Sequence, residues 1–210
     1  MQRLPVLLRR FGLIGLLCLG VVACHDHDAA TAASGAGPTA ATQLDGTIDV
    51  AIVTVIPEEY RALLAHMDRV LPIPAESRQA NLFGWTLAEL DRTDDRTPLR
   101  IVIALAGEAG TTSGALAVLQ TAQHWQPDHL LLVGIAGGMP ERVRRGDVVI
   151  SEAVWGYEYG ALEREFLPRQ DWIFRPDESL LQTATALPSG WQEDIRVPPP
   201  DPDVTPRAIV

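Results

Sequence analysis

The sequence HLLLVGIAGG, residues 129–138, decides the fold of this chain. Its apolar run 130–133 is uninterrupted and predicts a strand buried on both faces, as central parallel strands are. Three glycines, Gly134, Gly137 and Gly138, then end the strand. In open α/β sheets, ligands bind at the carboxyl ends of such strands. On this stretch alone, a tight turn between two core elements is the simpler interpretation, and the surrounding sequence has to decide.

Composition limits the classes of protein to which this chain can belong. Its 210 residues suffice for one sizeable domain, and its hydrophobic content of 47% and charged content of 21% are typical of a globular α/β protein. A formal net charge of −10 argues against nucleic acid as a partner, which would require a basic face. The two cysteines, Cys18 and Cys24, both precede the domain, so we predict no disulfide and no cysteine-based metal site there. We also expect no metal and no cofactor in the functional site.

The first 24 residues form a predicted export segment. Arginines precede an apolar run from Phe11 to Ala23, which is too short to span a bilayer comfortably. The run ends in Val21-Val22-Ala23-Cys24, which resembles the lipobox of bacterial lipoproteins, whose cysteine carries the lipid. The resemblance implies a lipid anchor on Cys24 at a bacterial membrane facing the periplasm. His25, in place of the Asp that marks inner-membrane retention, favours the outer membrane. An ordinary secretory signal or an uncleaved anchor is the alternative.

Residues 25–45 are rich in Ala, Thr, Gly and Asp and predict a flexible tether. The sequence His25-Asp26-His27-Asp28 within it has metal-binding side chains, but nothing fixes their geometry, so we interpret it as part of the tether. The predicted organisation is therefore an export segment at 1–24, a tether at 25–45 and a domain at 46–210. Loss of the three arginines before Cys24 takes the net charge from −10 to −13.

The domain opens with a predicted strand from Ile48 to Ile56, rich in β-branched residues. Pro57, Glu58 and Glu59 follow and indicate the start of a helix, because Pro is favoured at the first helical position and acids in the first turn. The two carboxylates either stabilise the helix dipole, worth about 0.3–1 kcal/mol each, or one of them acts as a general acid or base.

A predicted hairpin of strands at 82–90 and 99–105 follows, so we expect a mixed sheet. The Gly- and Thr-rich loop 106–114 then leads into a helix that continues to about Trp125. Loop amides and a helix N-terminus can bind an anion or a hydroxyl. The loop has neither the Gly-Lys-[Ser/Thr] of a Walker loop nor the spacing of a dinucleotide-binding fingerprint.

The remaining segments continue the alternation of strands and helices. They are a basic loop at 142–146, a strand at 146–151, an aromatic segment at 155–160, a helix at 176–187, a proline-rich loop at 188–206 and the start of a strand at 207–210.

Four motifs in this order resemble the purine nucleoside phosphorylase and uridine phosphorylase superfamily, and among its branches 5′-methylthioadenosine/S-adenosylhomocysteine nucleosidase. The motifs are Pro57-Glu58-Glu59 after a strand, the Gly107…Gly110 loop, Pro127-Asp128 leading to Gly134-Ile135-Ala136-Gly137-Gly138, and Gly146-Asp147-Val148-Val149, with Tyr157-Glu158-Tyr159-Gly160 in addition. The resemblance implies an α/β fold, a three-layer α/β/α sandwich with a mixed central sheet. It also implies cleavage of the N-glycosidic bond of a purine nucleoside, such as methylthioadenosine, by water or phosphate.

The resemblance also implies roles for individual residues. Glu59 matches the carboxylate that activates the attacking water, and a carboxylate here favours hydrolysis over phosphorolysis. Gly107 stands where the nucleosidases have a serine that helps to hold this water, so backbone amides would have to replace that contact. The implied substrate-binding residues are Ile56, Gly107, Gly110, Ala136, Gly137 and Gly138.

In the family, a strand like 208–210 continues into segments that supply a ribose-binding glutamate and a purine-protonating aspartate. We therefore expect this domain to be incomplete at its C-terminus and the 210-residue chain to be inactive or impaired. The family also implies a possible homodimer. Two alternatives remain: a membrane-anchored lipoprotein that binds nucleosides without cleaving them, and a fragment with an open sheet edge that folds poorly.

Overall fold

The computed structural model of the protein describes residues 17–21, 47–80, 83–92, 97–156, 160–162, 165–168, 173–195 and 205–209. The strands are β1 (Leu17–Val21), β2 (Val50–Thr54), β3 (Arg69–Leu71), β4 (Thr86–Leu90), β5 (Leu99–Leu105), β6 (His129–Ile135), β7 (Val148–Ile150), β8 (Val154–Trp155), β9 (Gly160–Leu162), β10 (Phe166–Pro168), β11 (Ile173–Phe174) and β12 (Ala208–Ile209). The helices are α1 (Pro57–Leu64), α2 (Ala75–Ala80), α3 (Thr111–Trp125) and α4 (Glu178–Thr185), with a 3₁₀ helix at Trp191–Asp194.

The chain divides into two compact units, one of Ala23–Leu130 and one of Met1–Val22 with Leu131–Val210. In the first unit, the strand order is β2-β5-β4-β3. β2 and β5 are parallel, whereas β5, β4 and β3 are antiparallel in succession. The predicted hairpin of β4 and β5 and the predicted mixed sheet are therefore confirmed.

An apolar cluster of buried residues lies within the first unit. β2 is buried along its whole length and β5 along most of it, which explains the enrichment of both strands in β-branched residues. Helix α3 packs against both strands and contributes Ala117 and Trp125 to the cluster. The other buried members are Ile48, Ala51, Val53, Trp85, Leu87, Val102, Ala104, Ala106 and Leu130.

The second unit has the strand order β6-β1-β7-β12. β1 runs antiparallel to β6 and parallel to β7, and β12 is parallel to β7, which confirms the predicted C-terminal strand. Two small antiparallel pairs, β8 with β11 and β9 with β10, complete this unit. α4 begins after Asp177, whose carboxylate accepts from the amides of Ser179 and Leu180, as expected of a helix N-cap.

β1 lies within the predicted export segment, so Leu17–Val21 belong to the described sheet as well as to that segment. The proposed signal function of the segment stays a prediction. Cys24, the tether 25–45 and residues 157–159 of the aromatic segment 155–160 lie outside the described residues. No helix of the described part of the chain combines the length and the apolar character needed to cross a membrane.

Two predictions for β6 are wrong. Leu132 is 38% exposed, so the strand is not buried on both faces throughout. The strand also continues through Gly134 to Ile135, because both residues pair with β1. The irregular segment therefore begins at Ala136, not at Gly134. The α/β fold with a mixed sheet and flanking helices is confirmed.

Candidate active site

The junction between β2 and α1 presents Glu59 as a buried carboxylate. Its side chain is only 4% exposed. The amides of Val55 and Ile56 donate to Glu59 Oε2 over 2.8 and 3.1 Å, respectively. Two donors to one oxygen fix the position of the carboxylate at the end of β2. Because Glu59 is the third residue of α1 and bonds to the amide that precedes the helix, it also caps the helix N-terminus.

Glu58, the neighbouring acid, has a different environment. It is exposed and pairs with Arg61 Nη2 at 2.6 Å, one turn further along α1. Such a pair between two solvated side chains contributes little to stability. Of the two carboxylates that the sequence left open as a general acid or base, the structure buries Glu59 alone.

The loop after β5 lies beside the same junction. The amide of Ala106 donates to the carbonyl of Thr54 at 2.8 Å, and the amide of Gly107 donates to the carbonyl of Val55 at 3.0 Å. Val55 therefore joins the two predicted parts of the site: its N–H contacts Glu59 and its C=O contacts Gly107. Sequence reasoning missed Val55 because its contribution is made by the backbone.

Gly107 and Gly110 are both exposed and both have positive φ, +82° and +135°. No atom lies within 4 Å of the position that a Cβ would take at either glycine, so the backbone conformation and not crowding favours glycine there. A serine at position 107, as the resemblance implies for the nucleosidases, would be strained in this conformation. Gly110 immediately precedes α3, so the unpaired amides of the first turn of this helix lie next to the loop.

The structure brings Ile56, Glu59 and Gly107 together around the backbone of Val55, and Gly110 follows Gly107 in the same loop. Ile56 is half-buried and contributes its amide to Glu59. The other predicted binding residues, Ala136, Gly137 and Gly138, follow β6 in the other unit, where the two glycines are exposed.

The second unit contains an ion pair between the buried Asp147 and the exposed Arg207. Asp147 has no exposed surface and accepts from the amide of Arg144 at 2.9 Å and from the amide and Nε of Arg207 at 3.1 and 3.2 Å. Burial by itself would raise the pKa of the Asp147 carboxyl, but the hydrogen bonds from Arg207 and Arg144 outweigh it and hold this pKa below its ordinary value. The pKa of Arg207 is raised in turn by Asp147.

A polar group in the first unit was also missed by sequence reasoning. His124 Nε2 and Ser77 Oγ share a hydrogen bond of 2.9 Å, and the imidazole stacks on Trp85 with the ring centroids 4.7 Å apart. The indole of Trp85 donates to the buried hydroxyl of Thr121 at 3.0 Å. Burial lowers the pKa of His124, although Glu76 acts in the opposite direction. Because Ser77 is only 4% exposed, this pair joins α2 to α3 and does not present a nucleophile.

Among the described residues, no group of three or more His, Cys, Asp or Glu side chains is placed to hold a metal ion. The sequence His25–Asp28 lies outside those residues.

Comparison with protein families matches residues 49–199 to the phosphorylase superfamily. The match covers most of the chain, and this protein therefore belongs to the phosphorylase superfamily.

Particular relatives are named as nucleosidases. The chain is 30% identical over 157 residues to the ATP nucleosidase Cap17 of Escherichia coli (strain KTE188). The aligned region covers 71% of this chain and 30% of that protein. It is 26% identical over 153 residues to the 5′-methylthioadenosine/S-adenosylhomocysteine nucleosidase of Chromohalobacter salexigens. This aligned region covers 69% of this chain and 58% of that protein. The chain thus spans less than two thirds of the length of either relative.

Among solved structures, a 5′-methylthioadenosine/S-adenosylhomocysteine nucleosidase from Neisseria meningitidis in complex with methylthio-immucillin-A is similar, with a TM-score of 0.48 and 21% identity. The similarity covers 66% of this chain and 56% of the Neisseria chain.

Proposed function

We propose that this protein cleaves the N-glycosidic bond of a purine nucleoside by hydrolysis, with Glu59 as the general base. Membership of the phosphorylase superfamily and relatives that are named nucleosidases support the reaction class. The observation that carries the proposal is the burial of Glu59 at the end of β2, fixed by two amides and adjacent to the Gly107 loop.

The proposed reaction assigns Glu59 one proton. The bond between C1′ and N9 breaks through an oxocarbenium-like state, and a water oxygen forms the new bond to C1′. Glu59 takes a proton from this water, and the purine leaves with the electron pair of the broken bond and takes up a proton from solvent. General base catalysis of this kind contributes about 10²–10⁴-fold. Because the Gly107 amide already donates to the Val55 carbonyl, the exposed Gly110 at the start of α3 is the glycine of this loop suited to bind a hydroxyl group of the substrate.

We propose a methylthioadenosine-like nucleoside as the substrate class, because a relative of this chain is named 5′-methylthioadenosine/S-adenosylhomocysteine nucleosidase. Water is proposed as the co-substrate in place of phosphate, because a fixed carboxylate suits activation of water and would repel a phosphate dianion.

Adenine release tests this function. The full chain is incubated with methylthioadenosine in buffer with and without phosphate, and free adenine is quantified by chromatography. Any release should proceed without phosphate, and Glu59→Gln should lower its rate by about 10²-fold or more. Glu58→Gln is the matched control, because it makes the same change at an exposed neighbour and should leave the rate unchanged.

Release that requires phosphate would replace hydrolysis by phosphorolysis. A Glu59→Gln rate equal to that of the unmodified chain would refute the role of Glu59.

A second function, nucleoside binding without cleavage, is favoured by one observation. Glu59 Oε2 accepts both amides at the start of α1, and this capping role is sufficient to explain a buried glutamate without chemistry. Under this alternative, methylthioadenosine binds in equilibrium dialysis, Glu59→Gln retains most of the affinity, and no adenine appears.

Lipid anchoring at Cys24 is proposed from the lipobox-like sequence Val21-Val22-Ala23-Cys24. Labelled palmitate should be incorporated by the full chain expressed in a bacterium and should be lost in Cys24→Ser. Incorporation that survives this substitution would refute the anchor.

A further inference from the structure

We propose that Tyr60 and Thr86 form a positioning pair for Glu59, the general base of the proposed reaction. The hydroxyl groups of Tyr60 and Thr86 share a hydrogen bond. Neither side chain is among the site residues that the sequence predicts. The inference rests on the proposed function for the identity of the base, and it adds the contact that fixes this base relative to the sheet.

The two amide bonds of Glu59 are local. The amides of Ile56 and Val55 lie three and four residues before Glu59, so their hydrogen bonds hold the carboxylate to its own turn of the chain. These bonds do not fix the position of that turn relative to β5 and β4. A contact between α1 and another element of the unit has to do so.

Tyr60 connects the turn that contains Glu59 to a more distant strand. Its amide donates to the carbonyl of Ile56 at 3.2 Å, which closes the first turn of α1. Its side chain is half-buried and reaches Thr86, the first residue of β4, which is 26 residues further along the chain. Because Tyr60 directly follows Glu59, any displacement of the Tyr60 backbone also displaces the base.

The register of the sheet brings Thr86 close to the end of β2. β5 lies between β2 and β4. Thr54, the last residue of β2, pairs with Leu105, and Thr86 pairs with Ile103, two residues earlier on β5. With about 4.8 Å between neighbouring strands, β2 and β4 are roughly 10 Å apart. The side chain of Tyr60 therefore ties the start of α1 across β5 to the sheet edge at which the base lies.

Packing and hydrogen bonding restrain α1 in different ways. Leu63, one turn after Glu59, is fully buried, and the helix packs against β2 and β5. Apolar packing of this kind has no preferred direction. A hydrogen bond between hydroxyl groups requires an oxygen–oxygen distance of about 2.5–3.0 Å and a favourable angle. The bond between Tyr60 and Thr86 therefore restrains the position of α1 more narrowly than the burial of Leu63.

A general base depends on such a restraint. It has to lie within hydrogen-bond reach of the water from which it takes a proton. A displacement of about 1 Å can lower the rate of an enzyme by about 10²-fold. Loss of the bond between Tyr60 and Thr86 leaves the carboxylate of Glu59 intact but less precisely placed. We therefore expect a loss of rate that is smaller than the loss on removal of the base, about tenfold.

Adenine release by variants of the full chain tests the pair. Tyr60→Phe should lower kcat by about tenfold and leave KM almost unchanged, because the base acts on the water and not on the bound nucleoside. Thr86→Val should have the same effect, and the two changes together should cost no more than either alone. Thr86→Ser retains the hydroxyl and should retain most of the rate. Thr183→Val removes a hydroxyl that bonds to the Ser179 carbonyl in the other unit and is the control.

The Glu59→Gln chain separates positioning from a merely structural role. If the pair acts through the base, Tyr60→Phe should lower the rate of the unmodified chain but not that of Glu59→Gln, in which no base remains to be positioned. Thermal melts establish that the variants are folded. An equal loss of rate in both chains would overturn the proposal, as would a Tyr60→Phe rate equal to that of the unmodified chain. In the latter case the proposed function stands.

Amide hydrogen exchange gives a readout that does not depend on turnover. In Tyr60→Phe, the amides of Val55 and Ile56, which donate to Glu59, should exchange about tenfold faster or more, whereas the amide of Ser179 in the other unit should be unaffected. Unchanged exchange at Val55 and Ile56 would overturn the proposal. If the unmodified chain releases no adenine, the proposed function fails, and exchange at these two amides alone decides whether the pair positions Glu59.

Discussion

Replacement of Glu59 by Gln and by Ala separates the two roles that the structure gives this side chain. As a helix cap, Glu59 accepts from the amides of Val55 and Ile56 over 2.8 and 3.1 Å. As a proposed general base, it takes a proton from water. Glutamine retains an oxygen that can accept both amides but removes the charge and the basicity. Alanine removes all of these.

The expected cost in stability follows from the two hydrogen bonds. A hydrogen bond to a charged group contributes about 1.5–3 kcal/mol and a neutral one about 0.5–1.5 kcal/mol, so Glu59→Gln should lose about 1 kcal/mol per bond, or about 2 kcal/mol in all. Glu59→Ala leaves two part-buried amides without this acceptor, and we expect a loss of about 4 kcal/mol. Turnover should behave differently, because both variants lack the base and should fall by a similar factor of about 10²–10⁴.

Urea unfolding gives the free energies by linear extrapolation, and adenine release gives the rates. Glu58→Gln serves as the control in both assays because Glu58 is solvated and pairs only across one helical turn. Equal free energies of unfolding for the Gln and Ala variants would refute the capping argument. A rate for Glu59→Gln within a few fold of the unmodified chain would refute the catalytic argument, and the two results are independent.

Three further predictions concern stability. Asp147→Asn removes the negative charge of the side chain that accepts hydrogen bonds from Arg207, and the free energy of unfolding at pH 7 should fall by about 2 kcal/mol. Because folding lowers the pKa of Asp147 below 3.8, this contribution is present above about pH 4 and is lost as the pH falls through the folded-state pKa. Urea melts at pH 7 and pH 3 would detect the loss. Burial lowers the pKa of His124 below 6.5, so its neutral ring stabilises the fold above about pH 6.5 and this stabilisation is lost as the pH falls; His124→Gln should flatten the unfolding free energy between pH 7 and 5. Gly107→Ala meets no atom within 4 Å but places a Cβ at φ +82°, and a thermal melt should show a loss of about 1 kcal/mol from backbone strain alone.

Each of these predictions has an outcome that contradicts it. If Asp147→Asn lowers the free energy of unfolding as much at pH 3 as at pH 7, the charge of Asp147 is not the source of the stabilisation. An unchanged pH profile in His124→Gln would assign the acid sensitivity to other groups. A Gly107→Ala chain as stable as the original would mean that the backbone relaxes out of the left-handed region.

Strands were most predictable where proline or glycine residues in the sequence mark the strand ends. β5 occupies Leu99–Leu105, as predicted, because its β-branched run is bounded by Pro98 and by the Gly107 loop. β6 was less predictable because long-range pairing decides where it ends. Gly134 suggested a break, but the ladder with β1 carries the strand across this glycine.

Short polar elements carried too weak a signal to predict. α2 is a helix of six residues, AESRQA, with no apolar face in its sequence. Its place depends on the contact between Ser77 and His124, which are 47 residues apart. The same limit applies to the candidate site, because a buried acid in a helix-start motif can be found from the sequence, whereas the backbone contribution of Val55 has no side-chain signature.

The position of β1 also has a consequence for the order of events during synthesis. Its residues pair with β6 and β7, so a ladder that joins Val21 to Leu131 closes only after about 110 further residues have been made. At about 5–20 residues per second, this interval is roughly 5–20 s. During that time the segment has no strand to pair with and is accessible to an export receptor as extended chain. If the segment is the signal that its sequence suggests, secretion competes kinetically with folding. When the export receptor binds late, the signal will already be paired in the sheet, and this pairing must be broken before export.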